Sequence, residues 1–405
     1  MIPRPMSAQQ MIYLDNAATT RPLPAVVEAM ARVQFDLFGN PSSKHSFGPP
    51  AKKVLDDARE FLRGTLGAAQ IIFTSGGSEA DYLGVIGAAV ARMPGRVLMA
   101  QSDHAAVLET TTLLARHRHH VSRLPVTEHG DLDPEQFFGA LGPDVRVVSL
   151  LHGHNELGTL CELAELASLV RRASPEAHIH VDLVQTYGKL PFDLDTMDVD
   201  SVAVSGHKFH GPRGAGFLAL SSKARIQPLQ LAGGQEDRMR GGTENVAGAV
   251  GLMIAAEAAL THQASGAAHM RDLCGRMTDA IFDALPQARR LGHPERRLPH
   301  VLSLFLPGII GETLQMRCDA RGLAFSTGAA CHDAIEIDPA EQRPAPKPDN
   351  HVLAAIGMDK RQSREVVRLS CSRETTTQEA DRAAQILINE ALTLMSQAPR
   401  GVGHA

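Results

Sequence analysis

The sequence predicts an α/β fold in which a mainly parallel sheet forms a large domain and a smaller α+β domain follows it. Short apolar segments alternate with helical patterns through the first two-thirds of the chain. These segments are nearly continuous in apolar residues, which is typical of parallel strands that helices cover on both faces. The pattern changes near Val246, where a long Ala-rich helical region begins.

Six apolar segments predict the strands of the large domain. In chain order they are Gln70–Thr74, Arg96–Ala100, Val145–Leu151, 178–184, Ser201–Ser205 and Gly216–Leu220. Helical patterns lie between them, one ending near Arg92 and others covering 104–116 and 162–172. Strands that alternate with helices in this way build a sheet with crossover helices on its faces.

The last third of the chain predicts the smaller unit. Its Ala-rich helical region runs from Val246 towards Leu285 and should end at Pro286, because proline lacks the amide hydrogen that a helix interior needs. Further strands and helices are expected at 300–306, 312–321, 324–327, 366–372 and 377–395. We therefore predict a large domain at 16–255, a small domain at 1–15 and 256–396, and a disordered tail at 397–405.

The composition excludes several classes of protein. The chain has 405 residues with 40 Lys and Arg against 45 Asp and Glu, and this net charge of −5 argues against binding nucleic acid through phosphates. No apolar segment approaches the ~20 residues of a membrane span. The first residues lack the apolar stretch of a secretory signal, so we expect a cytoplasmic protein. Five scattered cysteines without a C-x-x-C pair predict neither a disulfide framework nor a metal site.

Residues 75–79 (SGGSE) lie between a predicted strand and a predicted helix. Small residues followed by a hydroxyl at a helix N-terminus favour a bound phosphate, because free N–H groups and the helix dipole both attract an anion. The alternative is a simple capping turn in which Ser75 or Ser78 caps the helix.

Asp182 and Lys208 are placed at the ends of two neighbouring predicted strands. A buried aspartate is costly unless it meets a cation. Pyridoxal 5'-phosphate requires this pair, since the aspartate keeps the ring nitrogen protonated and the lysine forms the Schiff base. A surface lysine and a capping aspartate would explain each residue alone, but not both of them beside Ser205, His207 and a Gly-rich turn.

Cys331 lies among small residues in the segment 326–332 (STGAACH), after a predicted strand. A thiol in such a loop is expected to be exposed, and beside an electrophilic cofactor it can act as a nucleophile. The remaining cysteines are expected to pack in apolar, helical or strand contexts: Cys161, Cys274, Cys318 and Cys371. The Pro-rich, charged segment 335–350 predicts an exposed loop, with a lid or a partner-docking element as the alternative.

Eight motifs follow one another along the chain: 13–20 (YLDNAATT), 39–43 (GNPSS), 73–79 (FTSGGSE), 154–158 (HNELG), 205–208 (SGHK), 233–236 (GGQE), 242–245 (GTEN) and 328–331 (GAAC). In sequence and order they resemble those of class V aminotransferase-like pyridoxal enzymes of fold type I, and within them the group of cysteine desulfurases and selenocysteine lyases. The resemblance covers residues 12–389. It implies a seven-stranded, mainly parallel sheet in the large domain.

The resemblance also implies a set of residues that hold the cofactor. Lys208 would form the Schiff base, Asp182 would hold the pyridine nitrogen, His104 would stack on the ring as a catalytic residue, and Gln185 would bond the phenolic oxygen. The phosphate ligands would be Gly77, Ser78, Ser205 and His207. Thr243 would join them from a second subunit, which implies a homodimer with shared active sites.

The substrate contacts are implied in the same way. Asn155 and Arg368 would hold the substrate carboxylate, with Asn40 assisting. Lys208 would move the proton of the substrate Cα, and Cys331 would be the catalytic thiol.

The expected activity is that of a cysteine desulfurase, which removes sulfur from L-cysteine, releases L-alanine and keeps the sulfur as a persulfide of Cys331. The alternative is a selenocysteine lyase, which the segment 329–333 (AACHD) favours, because bacterial desulfurases of this group usually carry Ser-rich residues there. Another class V transaminase, a C–S lyase and a non-catalytic pyridoxal-binding scaffold are weaker alternatives. A protein that accepts the sulfur or selenium is a further expected partner.

Overall fold

The structure is a computed structural model that describes residues 11–230, 233–327, 336–337, 344–345 and 350–397. Cys331, most of the segment 335–350 and the tail beyond Gln397 lie outside these residues. The chain forms two compact units. The large unit comprises the described residues of 19–154 and 159–265, and the small unit comprises the described residues of 1–18, 155–158 and 266–405.

The described residues form the following strands and helices. The strands are β1 Ile12–Tyr13, β2 Gln70–Thr74, β3 Arg96–Ala100, β4 His120–Leu124, β5 Val145–Leu151, β6 His178–Asp182, β7 Ser201–Ser205, β8 Gly216–Leu220, β9 Arg289–Arg290, β10 Val301–Phe305, β11 Leu323–Ala324, β12 Ser326–Thr327, β13 Glu336–Ile337, β14 Pro344–Ala345 and β15 Val366–Ser370. The helices are α1 Pro24–Asp36, α2 Gly48–Gly64, α3 Gly77–Val90, α4 Ala105–Leu108, α5 Thr111–Arg116, α6 Pro134–Ala140, α7 Leu163–Ala173, α8 Val246–Thr261, α9 Gln263–Ala284, α10 Gly311–Asp319, α11 His351–Ala355, α12 Lys360–Ser363 and α13 Thr377–Gln397.

A seven-stranded sheet of order β2-β8-β7-β6-β5-β3-β4 forms the centre of the large unit. Its neighbouring strands are parallel except at β8, which is antiparallel to both β2 and β7. The predicted α/β fold with a mainly parallel, seven-stranded sheet is confirmed. Because β6 and β7 run in the same direction, their last residues, Asp182 and Ser205, lie at the same edge of the sheet.

Helix α3 brings its N-terminus to this carboxyl edge, because it follows directly from β2. It packs over β6, β7 and β8. The helix is apolar around most of its circumference, with Leu83, Val85 and Ile86 buried, as expected for a helix that has almost no solvent face. The helical pattern predicted at 104–116 forms two short helices, α4 and α5, instead of one.

The small unit contains an antiparallel sheet of order β12-β15-β10-β9 and a parallel pair, β1 with β11. Its core includes apolar residues of α9 and α13, together with three of the cysteines: Cys274, Cys318 and Cys371. Arg368 lies in the middle of β15, in register with Ser303 on one side and Ser326 on the other.

Candidate active site

The N-terminus of α3 forms the first part of the candidate site. The helix begins at Gly77, its N-cap is Gly76, and no side chain caps it, so the alternative in which Ser75 or Ser78 is the cap is wrong. The N–H groups of the first turn have no partner within the helix, an arrangement that attracts an anion. A Cβ on Gly77 would stand only 2.6 Å from Val184 Cγ2, so glycine lets the helix start lie close to the segment after β6.

Two side chains from the end of β7 accompany this helix start. Ser205 is buried, and its Cβ is 3.4 Å from the position that a Cβ on Gly77 would take. His207 Nδ1 is 3.1 Å from the Thr19 hydroxyl. Burial, and then the nearby charge of Lys208, lower the pKa of His207 to about 4. The neutral ring therefore offers a hydrogen bond to an anion without adding a charge.

Lys208 lies in the short turn that follows β7 and is half-buried. Its carbonyl oxygen accepts a hydrogen bond of 2.8 Å from Lys189 Nζ, and the same ammonium donates to the Gln185 carbonyl at 3.1 Å. Lys189 is itself buried. It therefore ties the backbone of Lys208 to the segment after β6.

Asp182 ends β6 and is only 5% exposed. Its Oδ1 accepts the Val184 N–H at 2.9 Å. Burial, and then the charge of Asp81, raise the pKa of Asp182, while the nearby His104 opposes this increase. A backbone N–H offsets only part of the cost of burying a carboxylate, so Asp182 favours a cation beside it.

His104 and Gln185 also lie in segments that follow strands at this edge. His104 is the N-cap residue of α4, and its Nδ1 accepts the Ala106 N–H at 3.1 Å. In a neutral ring this hydrogen bond places the proton on Nε2. Gln185 is buried three residues beyond the end of β6. The large unit therefore collects the predicted ring-binding residues at the carboxyl edge of its sheet.

Asn40 and Thr243 line a different part of the large unit. Both are exposed, and together they line a cavity of about 340 Å³ whose walls include Phe38. The residues of the α3 N-terminus and Lys208 do not line this cavity. Thr243 therefore shares no lining of this cavity with the predicted phosphate ligands of the same chain.

Arg368 carries the predicted carboxylate site of the small unit, and its side chain is 11% exposed. Its Nη2 donates to Asp15 Oδ1 at 2.8 Å, and its Nη1 donates to the Asn155 carbonyl at 3.0 Å. Among the residues that the structure describes, Arg368 Nε has no hydrogen-bond partner. Because Nε and Nη2 form the side edge of the guanidinium, a substrate carboxylate would bind there and share or displace Asp15.

The profile described as Aminotransferase class-V matches residues 12–383. The chain belongs to this family. The cysteine desulfurase NifS of Azotobacter vinelandii is 36% identical over 375 residues, 92% of this chain and 90% of the relative. A cysteine desulfurase of Cereibacter sphaeroides is 38% identical over 384 residues, 93% of this chain and 95% of the relative. The predicted family is confirmed.

Solved structures show the same fold. A NifS-like protein with 31% identity has a TM-score of 0.85, over 94% of this chain and 98% of its own. The structure titled SspA in complex with cysteine has 27% identity and a TM-score of 0.74, over 90% of this chain and 99% of its own. Both support the fold of a class V pyridoxal enzyme.

Two kinds of feature are absent from the described part of the chain. None of its helices has the length and apolar character needed to cross a membrane. No group of three or more His, Cys, Asp or Glu side chains there could hold a metal ion.

Several polar residues near the predicted site were not found from the sequence. Asp15 bonds Arg368, Lys189 bonds the backbone of Lys208, and Asp81 lies close enough to raise the pKa of Asp182. Asp81 gives a usable sequence signal, because it is an acidic residue just before the apolar part of this helix.

Proposed function

We propose that this chain is a pyridoxal 5'-phosphate-dependent cysteine desulfurase, which converts L-cysteine to L-alanine and retains the sulfur as a persulfide of Cys331. The observation that carries the proposal is the group at the carboxyl edge of the large sheet. There an uncapped helix N-terminus and the neutral His207 lie with the buried Asp182 and with Lys208. The relatives named cysteine desulfurase, and the structure of SspA in complex with cysteine, support L-cysteine as the substrate.

The donors present suit both ends of pyridoxal 5'-phosphate. The first turn of α3, with Gly77 and Ser78, would hold the phosphate together with Ser205 and His207. Asp182 would keep a proton on the ring nitrogen, because a buried carboxylate of raised pKa gains most from such a partner. His104 would lie against the ring, and Gln185 would bond its phenolic oxygen. When bound, the cofactor supplies an electron-accepting ring that stabilises negative charge at the substrate Cα.

Lys208 would act as the acid and base of the reaction. Its amine takes the proton from the substrate Cα and later returns a proton to the product. Lys189 would keep the Lys208 backbone in place during this exchange, since it bonds the Lys208 carbonyl directly.

Cys331 would take the sulfur. Its thiolate forms an S–S bond with the substrate sulfur while the C–S bond of the substrate breaks. The electron pair of that bond stays with the substrate carbon, which takes up a proton and leaves as alanine. Cysteine and the enzyme thiol are thus converted to alanine and an enzyme persulfide, with no other oxidant or reductant. A partner protein would then accept the sulfur.

Arg368 and Asn155 would hold the carboxylate of the substrate. The Nε of Arg368 is available, and Nη2 bonds Asp15, so an incoming carboxylate competes with Asp15 for one side of the guanidinium. This competition favours a substrate that brings its own negative charge to this position.

A second copy of the chain would complete the site. Three exposed aromatic side chains of the large unit support a homodimer: Phe35, Phe38 and Phe47. Phe35 is 83% exposed, and the rings of Phe38 and Phe47 are 5.2 Å apart, so they form an apolar surface of the kind that a partner covers. Thr243 lines a cavity with Phe38, and from there it would serve the phosphate site of the other copy. Asn40 lines the same cavity.

A cytoplasmic location fits the cysteines. The described residues contain four of them, and all four are free thiols, as is usual in a reducing compartment: Cys161, Cys274, Cys318 and Cys371.

The second candidate is a selenocysteine lyase, which the AACHD segment at 329–333 favours. Initial rates of alanine release from L-cysteine and L-selenocysteine distinguish the two, with Lys208→Ala and Cys331→Ala compared with the matched thiol variant Cys161→Ala. We expect L-cysteine to be a good substrate for the wild type and Cys161→Ala and to be inert with the other two variants. Selenium release with cysteine acting only as an inhibitor would favour the lyase. Conversion of L-cysteine to a 2-oxo acid without alanine, at the same rate in Cys331→Ala as in the wild type, would favour a transaminase or C–S lyase.

A further inference from the structure

A chain of buried polar side chains crosses from α3 to the large sheet beneath Asp182. His180 Nε2 is 3.1 Å from Asp81 Oδ1, and His180 Nδ1 is 2.8 Å from Ser201 Oγ. Ser201 Oγ is also 2.7 Å from His178 Nε2. All four residues are at most 1% exposed. Polar groups buried to this degree are retained at a cost in desolvation, so their arrangement calls for a reason beyond packing.

The helix makes room for this contact. A Cβ on Gly84 would stand 2.4 Å from the ring of His180, so only glycine allows α3 to lie directly over the imidazole. Glycine in a helix interior is otherwise unfavourable. The local sequence of α3 is therefore adapted to the His180 ring.

The Asp81–His180 hydrogen bond joins the two ends of the proposed cofactor site. Asp81 lies four residues, about one helical turn, after Gly77 at the phosphate-binding end. His180 lies two residues before Asp182 on the same strand, so both side chains project from the same face of the sheet. A change in the distance between Asp81 and His180 would shift the start of α3 relative to Asp182.

The hydrogen bond does not need an ionic charge. Burial raises the pKa of Asp81 to about 8 and lowers that of His180 to about 4. Burial therefore disfavours an ion pair here, and a single proton held between the carboxyl group and the imidazole is enough to make the bond. A carboxamide of the same shape would preserve it.

We propose that Asp81 and His180 are positioning residues whose hydrogen bond sets the spacing between the phosphate-binding N-terminus of α3 and Asp182. This inference rests on the proposed cofactor. In this role Asp81 and His180 neither contact the substrate nor transfer a proton.

The test measures how tightly cofactor-free protein binds pyridoxal 5'-phosphate, followed by the visible absorbance of the bound cofactor. Asp81→Leu and the smaller Asp81→Ala remove the hydrogen bond, and each should raise the Kd by about tenfold or more, the effect of one lost buried hydrogen bond. Asp81→Asn keeps the bond and should remain within about threefold of the wild type.

Ser149→Ala is the matched control. Ser149 lies opposite His180 on β5, is 2% exposed, and its Oγ has no hydrogen-bond partner among the described residues. This variant should bind the cofactor like the wild type. Melting temperatures separate positioning from general stability. Each variant is measured without cofactor and again with saturating cofactor, and the increase in melting temperature is compared. The positioning role predicts a smaller increase for Asp81→Leu and Asp81→Ala than for Ser149→Ala.

Three results would overturn the inference: wild-type affinity in folded Asp81→Leu or Asp81→Ala, an Asp81→Asn variant as weak as Asp81→Leu, or an equal loss in Ser149→Ala. Failure of the proposed function looks different. In that case the wild type itself would not bind the cofactor, or would bind it and release no alanine from L-cysteine.

Discussion

Asp182 and Arg368 each hold a buried polar group that a ligand would stabilise. Asp182 is a buried carboxylate whose pKa is raised by burial, and Arg368 Nε is buried without a hydrogen-bond partner in the described part of the chain. Buried polar groups are normally satisfied, and exceptions concentrate where a ligand completes them. A cationic ring opposite Asp182 and a carboxylate opposite Arg368 would each supply the missing partner.

The side edge of Arg368 leads to a prediction about substrate affinity. Arg368→Lys should raise the KM for L-cysteine roughly 10- to 100-fold, because a lysine cannot offer the Nε–Nη2 edge and loses one charge-assisted hydrogen bond. The matched control is Arg364→Lys, an exposed arginine just before β15. Steady-state kinetics measure the KM of both variants. An unchanged KM in Arg368→Lys would show that Arg368 does not bind the substrate carboxylate.

Asp81 predicts a pH dependence of stability in the cofactor-free protein. Burial raises its pKa from 3.8 to about 8, so the folded state holds a proton that the unfolded state has released. Its contribution is complete below pH 3.8 and is lost as the pH rises through about 8. The melting temperature of the wild type minus that of Asp81→Asn should therefore fall across this range. A difference that rises with pH would contradict the assignment.

Among the elements, α3 connects the packing of the large unit with its chemistry. The helix starts at the proposed phosphate-binding turn, carries Asp81 one turn later and accommodates His180 at Gly84. Its apolar surface fixes it on the sheet, so the position of its N-terminus is set by the core and not by a mobile loop.

Glycine-to-alanine changes in two helices test this packing. Gly84→Ala should lower the free energy of unfolding by about 1–3 kcal/mol, because the added methyl group overlaps the His180 ring. The control is Gly275→Ala in α9, where a Cβ meets nothing within 4 Å. There the better helix propensity of alanine should stabilise by about 0.5–1 kcal/mol. Urea denaturation measures both, and equal stabilisation by the two changes would refute the close contact.

The strands and helices that could be predicted are those with a clear hydrophobic pattern in their own residues. β5, β6 and β7 are almost fully buried, so their apolar runs are continuous. Strand β4 was absent from the predicted set because this edge strand is half-exposed and reads HVSRL.

Contacts distant in sequence could not be predicted either. Asp81 and His180 are 99 residues apart and Asp15 and Arg368 are 353 apart, so only the fold brings each pair together.

At the scale of the whole molecule, the proposed homodimer makes a complementation prediction. Lys208→Ala and Thr243→Ala damage the same site from different chains if Thr243 serves the partner copy. Each variant alone should lose activity, whereas an equal mixture that is unfolded and refolded together should regain about a quarter of the wild-type activity. Half of its dimers are then mixed, and each mixed dimer has one intact site. A mixture with no more activity than the single variants would place Thr243 in its own chain's site.

The central claim is that Cys331 takes sulfur from a substrate held at the Asp182–Lys208 site. The most direct measurement is one turnover of the cofactor-loaded enzyme with L-cysteine in the absence of any acceptor thiol, followed by alkylation and peptide mass spectrometry. We predict one additional sulfur atom on Cys331 for each alanine released, and neither product in Lys208→Ala. Alanine release with Cys331 unmodified would contradict the account.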